Sequence, residues 1–221
     1  MINIAIDGPA GAGKSTISKA AAKELGFIYI DTGALYRTVG LNAMRKGADL
    51  ESDESIASTL TNDLSLELRF VDGEQRVFLN GEDVSLAIRT PEASMAASRV
   101  SAVPAERENL FDLQKKLAKE NNCVMDVRDI GTVVLPDAKV KIFLTASPES
   151  RAKRRYDELV QKGMDVKYED VLEDMKQRDY NDSHRAVAPL KPAADAILLD
   201  TSGFELEKSV ALIIKTIKEN I

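Results

Sequence analysis

The chain has 221 residues, with 30 Lys plus Arg against 36 Asp plus Glu, a formal net charge of −6, and 44% apolar residues. That length makes one large domain, or one domain with an insertion, able to bury its own core without disulfide or metal staples. The acidic balance argues against a general nucleic-acid binder, and a single cysteine and a single histidine argue against a disulfide scaffold, a histidine-centred triad or a multi-histidine metal site.

In chain order, Asn3–Asp7 reads as a short strand broken by Gly8-Pro9. Lys14–Leu25 reads as a helix, with Ile17, Ala21 and Leu25 four residues apart and Gly26 as its stop. Phe27–Ile30 is an apolar strand, and Ala34–Lys46 a second helix stopped by Gly47. This β-loop-α-β-α opening predicts an α/β fold, a parallel sheet flanked by helices. Ser65–Phe70 then alternates, Asp72-Gly73 is a hairpin signal, Arg76–Leu79 returns and Asn80-Gly81 turns again. That antiparallel patch interrupts the α/β rhythm and reads as an insertion. Pro91 opens a helix running over Ala93–Val103 to Pro104, followed by a charged helix over Glu106–Asn121.

The α/β rhythm resumes with a strand at Cys123–Met125, ending at Asp126, and another at Val140–Leu144. Ser147 reads as an N-cap with Pro148 in the first turn of a helix over Glu149–Lys162. Tyr168–Asp179 is a further helix, Ala196–Leu199 a strand, and Glu205–Asn220 a closing helix with Val210, Ile213, Ile214 and Ile217 inward. Cys123 reads as a buried strand residue and His184 as a surface or loop residue. The longest apolar run, Val210–Ile214, is too short to span a membrane, and Met1-Ile2-Asn3-Ile4 has no leader character, so a cytoplasmic protein with no membrane partner is expected.

Gly8-Pro9-Ala10-Gly11-Ala12-Gly13-Lys14-Ser15, followed by Thr16, fits the phosphate-loop pattern G-x-x-x-x-G-K-[ST] between a strand and a helix. Glycines let consecutive N–H groups turn inward as an anion nest, and the helix adds its positive end. Lys14 supplies a charge for the β- and γ-phosphates of ATP, and Ser15 a hydroxyl for Mg²⁺. No asparagine is followed by lysine, so the guanine-reading N-K-x-D of a GTPase is missing. A small phosphotransferase needs a second anion site, and arginines at the expected carboxyl ends of strands could supply it: Arg37, Arg107, Arg128, Arg178 and Arg185, with Arg151, Arg154 and Arg155 on one helix. Arg151 and Arg155, four residues apart, would repel. Asp31 and Asp126, at strand ends, could orient Mg²⁺ water or could cap helices and pair with arginines. A non-catalytic ATP-binding module and another small-acceptor kinase stay open on these residues alone.

The phosphate loop with its preceding Ile4-Ala5-Ile6-Asp7, then Asp31-Thr32-Gly33-Ala34-Leu35-Tyr36-Arg37, Arg128-Asp129-Ile130-Gly131-Thr132-Val133-Val134, Arg178-Asp179 and Ala188-Pro189-Leu190, resembles the bacterial cytidylate kinases over essentially the whole chain. The resemblance implies transfer of the ATP γ-phosphoryl group to CMP or dCMP, with ATP and Mg²⁺ required. It places Thr32 and Tyr36 by the acceptor nucleotide, and Ser98, Arg107 and Asp129 on the cytosine. It places Arg37, Arg128 and Arg185 on the acceptor phosphate, with Arg178 also on the substrate, and Asp182 near the sugar hydroxyls. Lys14, Arg128, Arg154, Arg155 and Arg185 take the catalytic positions, Arg154 and Arg155 in a lid over about residues 150–168. A monophosphate-binding subdomain over about residues 34–104 and a monomer are expected. Where the family usually reads Asp-Gly-Arg-Asp, this chain reads Asp126-Val127-Arg128-Asp129; a β-branched residue cannot take positive φ cheaply and adds bulk near a phosphate, so it strains the turn unless φ is negative there.

Overall fold

A computed structural model describes residues 1–59, 64–71 and 74–221. The chain divides into two compact units, one of residues 1–29 and 121–221, the other of residues 30–120.

The first unit is built on a five-stranded sheet. Strand β1 (Asn3–Asp7) leads into helix α1 (Lys14–Leu25), and β2 (Ile28–Asp31) carries the chain into the second unit. The sheet order is β2-β6-β1-β7-β8, where β6 is Cys123–Val127, β7 Val140–Thr145 and β8 Ile197–Asp200. β1 pairs parallel with both β6 and β7, and β7 parallel with β8. The α/β reading of the chain therefore holds. β1 is buried on both faces: Ile4 and Ile6 on one face pack with Ile17 and Ala21 and with Ile213 and Ile217 of the closing helix, and Ala5 and Asp7 on the other face are buried as well. Its central place puts the loop after Asp7 at the carboxyl edge of the sheet, where open α/β sheets bind ligands.

The second unit holds α2 (Thr32–Arg45), α3 (Asp53–Ala57), the antiparallel sheet β3 (Leu66–Val71), β4 (Glu74–Leu79) and β5 (Glu82–Asp83), then α4 (Pro91–Val100) and α5 (Pro104–Glu120). The Asn80-Gly81 turn has positive φ at both residues, 51° and 84°, as a tight hairpin between β4 and β5 requires. The Asp72-Gly73 turn lies outside the described residues. α2 and α4 approach closely at Gly40, where a methyl group would meet the Ala96 side chain at 2.9 Å.

The first unit closes with α6 (Pro148–Gln161), α7 (Tyr168–His184) and α8 (Leu206–Asn220). Ser147 caps α6, accepting from the Ser150 N–H, as its place before Pro148 predicts. Sequence patterning ends the next helix at Asp179, whereas α7 runs on to His184. Propensity weakens over Asp179–Ser183, but Asp182 faces inward and bonds Arg128, and that pairing holds the last turn. His184 is thus the last helical residue, exposed and stacked on Tyr180 at 4.0 Å. Cys123 is buried, and burial pushes its thiol up to about 12.

Candidate active site

In the first unit the phosphate loop bends through Gly8 (φ 150°), Gly11 (72°) and Gly13 (85°), conformations that side chains rarely adopt. α1 begins at Lys14, and Ser15 and Thr16 stand exposed on its first turn. Lys14 folds back over the loop, its Nζ donating to the Pro9 carbonyl at 2.7 Å. Burial, and next the Arg128 guanidinium, push its pKa down to about 7, against the pull of Asp126, Asp182 and Asp7.

These groups form one cluster at the carboxyl ends of β1 and β6. Arg128 Nε donates to Asp182 at 2.7 Å, and Arg185 Nη2 lies 3.6 Å from Asp129. Burial alone would raise Asp182, but Arg128, Arg178 and Arg185 outweigh it and hold the carboxyl below its ordinary range. Arg178 itself is exposed and reaches the cluster through that charge. Asp7 accepts from the backbone N–H groups of Ile130 and Gly131, both at 2.7 Å, which fixes the π-helical turn Ile130–Val134 directly after Asp129. Burial pushes Asp7 up to about 6 despite those two bonds. Buried titratable groups with strongly shifted pKa values, set by charge partners, cluster at functional sites.

Arg151 takes partners in this unit that its sequence position did not indicate. Its charge was expected to repel Arg155; instead it is buried. It donates to the phosphate-loop carbonyl of Ala10 at 2.9 Å and to Ala146 at 2.8 Å, and it pairs with Asp179. Arg155 pairs with Glu158, and Arg154 donates to the Thr201 carbonyl at 3.0 Å. Arg154 and Arg155 line a cavity of about 510 Å³ with Gly13, Thr16, Phe204 and Leu206. Sequence reasoning missed Thr201–Leu206; the signal available was a polar, Gly-containing loop just past the last strand.

In the second unit Asp31 caps α2 through the Ala34 N–H at 2.8 Å and pairs with Arg37 at 2.9 Å. The capping and pairing reading therefore applies to Asp31, whereas Asp126 in the first unit accepts from the Tyr29 hydroxyl at 3.0 Å. Thr32 is buried as the first residue of α2, and Tyr36 lies in the unit's core with the Arg107 guanidinium 5.8 Å from its ring centre. Arg107 also donates to the Ser101 carbonyl, and Ser98 is half-buried on α4. Lys14, Arg128, Asp129, Asp182 and Arg185 thus gather within one unit, and Thr32, Tyr36, Arg37, Ser98 and Arg107 lie in the other.

A phosphate loop joined to this arginine–carboxylate cluster suits many kinases, so comparison with known proteins decides among them. The family model for cytidylate kinase matches residues 4–219. The chain belongs to the cytidylate kinase family. It is 51% identical to a cytidylate kinase of Caldicellulosiruptor bescii over 100% of this chain and 99% of that one. It is 53% identical to one of Pelotomaculum thermopropionicum over 96% of this chain and 94% of that one. Among solved structures, an uncharacterized protein from Eubacterium ventriosum shares the fold at TM-score 0.53 and 15% identity, covering 99% of both chains.

The family's usual glycine before the Arg-Asp pair is Val127 here, and the structure shows why a valine fits. Val127 is the last residue of β6, in register with Asp7 of β1, and it is not among the positive-φ residues. A β-branched residue suits that strand end. Val127→Gly should bring no gain in kcat and should cost about 1 kcal/mol of stability from added backbone freedom. Steady-state rates and thermal melts check this; a faster variant would show that valine strains the turn.

Proposed function

We propose that the chain transfers the γ-phosphoryl group of ATP to CMP or dCMP, giving ADP and CDP or dCDP, and that it does so through the residues gathered above. The observation that carries this is Lys14, buried at the head of α1 in a cluster of arginines and carboxylates, in a chain of the cytidylate kinase family. An oxygen of the acceptor phosphate attacks the γ-phosphorus, and the bond to the β–γ bridging oxygen breaks. The attacking oxygen is already anionic, so the protein's work is positioning and charge neutralisation rather than proton abstraction.

Lys14 and the loop N–H groups bind the β- and γ-phosphates. Arg154 and Arg155, in a lid over about residues 150–168, add charge over the transferring group and help to exclude water. Arg37, Arg128 and Arg185 hold the acceptor phosphate, with Arg178 at its margin. Asp182 sits by the sugar hydroxyls, with Thr32 and Tyr36 beside the nucleotide. Ser98, Arg107 and Asp129 read the cytosine: its N4 amino group donates, which a carboxylate accepts, and its O2 and N3 accept.

Among the described residues no cluster of three or more His, Cys, Asp or Glu forms a metal cage. The exposed Ser15 hydroxyl would hold Mg²⁺, with Asp126 orienting its water, a sparse protein share that suits an ion preferring water and phosphate oxygens. Mg²⁺ bound there would neutralise phosphate charge. No described helix is long and apolar enough to cross a membrane. The reading is of a cytoplasmic monomer acting on small nucleotides, without membrane or nucleic-acid partners.

A panel of nucleoside monophosphates with ATP and Mg²⁺, read by ADP release, tests the function; preference for UMP or AMP would sink the cytosine reading. Asp129→Ala should weaken CMP about 10-fold to 100-fold, the worth of one charge-assisted hydrogen bond, while ATP affinity changes less than about twofold. Titration calorimetry with each nucleotide separates the two, and unchanged CMP affinity would refute the role of Asp129.

A further inference from the structure

Arg89 closes the short 3₁₀ turn Ala87–Arg89, just before Thr90 caps α4. Its Nη1 lies 3.3 Å from Oδ2 of Asp31, the same oxygen that Arg37 Nη2 reaches at 2.9 Å. One buried carboxylate therefore draws two guanidinium groups to a single point. The other Asp31 oxygen is taken by the Ala34 N–H, and the Asp31 backbone N–H is held by Gln75. The carboxylate is thus fixed from several sides and acts as a post rather than a mobile partner.

The trio carries two positive charges and one negative, so a net positive charge remains. Each guanidinium has five N–H donors, and the Asp31 bond uses one on each. Arg37 Nε is buried without a hydrogen-bond partner among the described residues. Arg89 keeps half its side chain in solvent, 51% exposed, so its head is accessible. Gly33 makes the arrangement possible: a methyl group there would sit 3.2 Å from both Arg37 Nη1 and Asp31 Oδ1. Adjacent guanidinium groups with donors to spare suit an anion with several oxygens, because planar forks bind phosphate in pairs of hydrogen bonds.

We propose that Arg89 is a further acceptor-phosphate residue, held beside Arg37 by Asp31, so that the phosphate of the nucleoside monophosphate is bound by Arg37 and Arg89 together. This rests on the reading of Arg37 as a phosphate ligand. The alternative is that Arg89 only ties the 3₁₀ turn to the start of α2.

The test compares wild type, Arg89→Gln and Arg89→Lys, using CMP, cytidine and ATP as probes. Arg89→Gln should raise KM for CMP about tenfold or more, the worth of one charged hydrogen bond. It should leave KM for ATP, the affinity for cytidine and the melting temperature near wild type. Arg89→Lys should recover part of the CMP affinity, because it keeps the charge and loses the fork. Unchanged CMP affinity overturns the proposal, as does an equal weakening of CMP and cytidine, which would place Arg89 in the fold or the base pocket. Wild-type turnover on the monophosphate panel judges the substrate reading separately. If another monophosphate is preferred, the same comparison with its own nucleoside still judges Arg89.

Discussion

Lys14→Met should lower kcat about a thousandfold and at the same time raise the melting temperature. On the role proposed for Lys14, the first effect follows from removing a preorganised charge where negative charge grows in the transition state, a loss typically of 10²–10³. The second follows from burial. Lys14 is 8% exposed, and desolvation is the largest influence on it, so the folded protein binds its proton more weakly than the unfolded chain does. Its pKa falls from 10.5 to about 7 on folding. Between those values the unfolded chain carries more protons, so wild-type stability should rise with pH from about 7 to 10.5. Below pH 7 the full cost of the buried ammonium is present. Methionine has similar length and no charge, so the variant escapes that cost, and a net gain of even ~1 kcal/mol would raise Tm by about 2–4 °C. Melts of both proteins from pH 6 to 10 should show the gap in Tm closing as pH rises. A variant less stable at pH 6, or one with near-normal turnover, would contradict this account.

Asp7 adds to the same conflict from the acidic side. Its folded pKa, about 6, lies above its ordinary 3.8, so the native state holds the extra proton between those values and stability falls as pH rises through the window. Both buried charges therefore oppose folding at neutral pH. A sequence selected for stability alone would replace them; one that must bind phosphates and fix the Ile130–Gly131 turn keeps them.

How much of this was legible in the sequence depended on whether the signal was local. The phosphate loop, the Asn80-Gly81 turn and the Ser147-Pro148 helix start each rest on residues within a few positions of one another, and the structure agrees with them. Strands β1, β6 and β7 were visible as apolar runs because parallel strands are buried on both faces. The register that makes β1 central was not, since it pairs residues some 120 positions apart. The same holds for side chains. The arginines could be picked out by their places after strands, but not the carboxylates each would meet. Arg151 could be read only as an anion-site arginine repelled by Arg155, because its partners, Ala10 and Asp179, come from distant segments. Asp31 could be read two ways until the Ala34, Arg37 and Arg89 contacts placed it as a cap and a post.

The three phosphate-loop glycines at positive φ look alike in the motif, but their surroundings predict very different costs for a single methyl group. At Gly8, φ is 150° and a Cβ would stand 1.9 Å from the backbone oxygen of Leu144 and 3.0 Å from its carbon. Leu144 lies in β7, paired with β1, so the carbonyl cannot retreat without breaking the central sheet. At Gly11 the nearest atom is the flexible Met175 Cε at 3.2 Å, and at Gly13 it is Ile17 Cδ1 at an ordinary 3.6 Å. Gly13→Ala should therefore cost about 1 kcal/mol, the penalty of left-handed backbone alone. Gly8→Ala adds overpacking to strain and should cost about 3 kcal/mol or more, lowering Tm by roughly 6–12 °C for a chain of this size. Both variants should lose activity, because either distorts the anion nest, so activity alone does not rank them. Denaturant melts do: equal losses at Gly8 and Gly13 would mean that β7 gives way, and that the motif's first glycine serves the phosphate rather than the sheet.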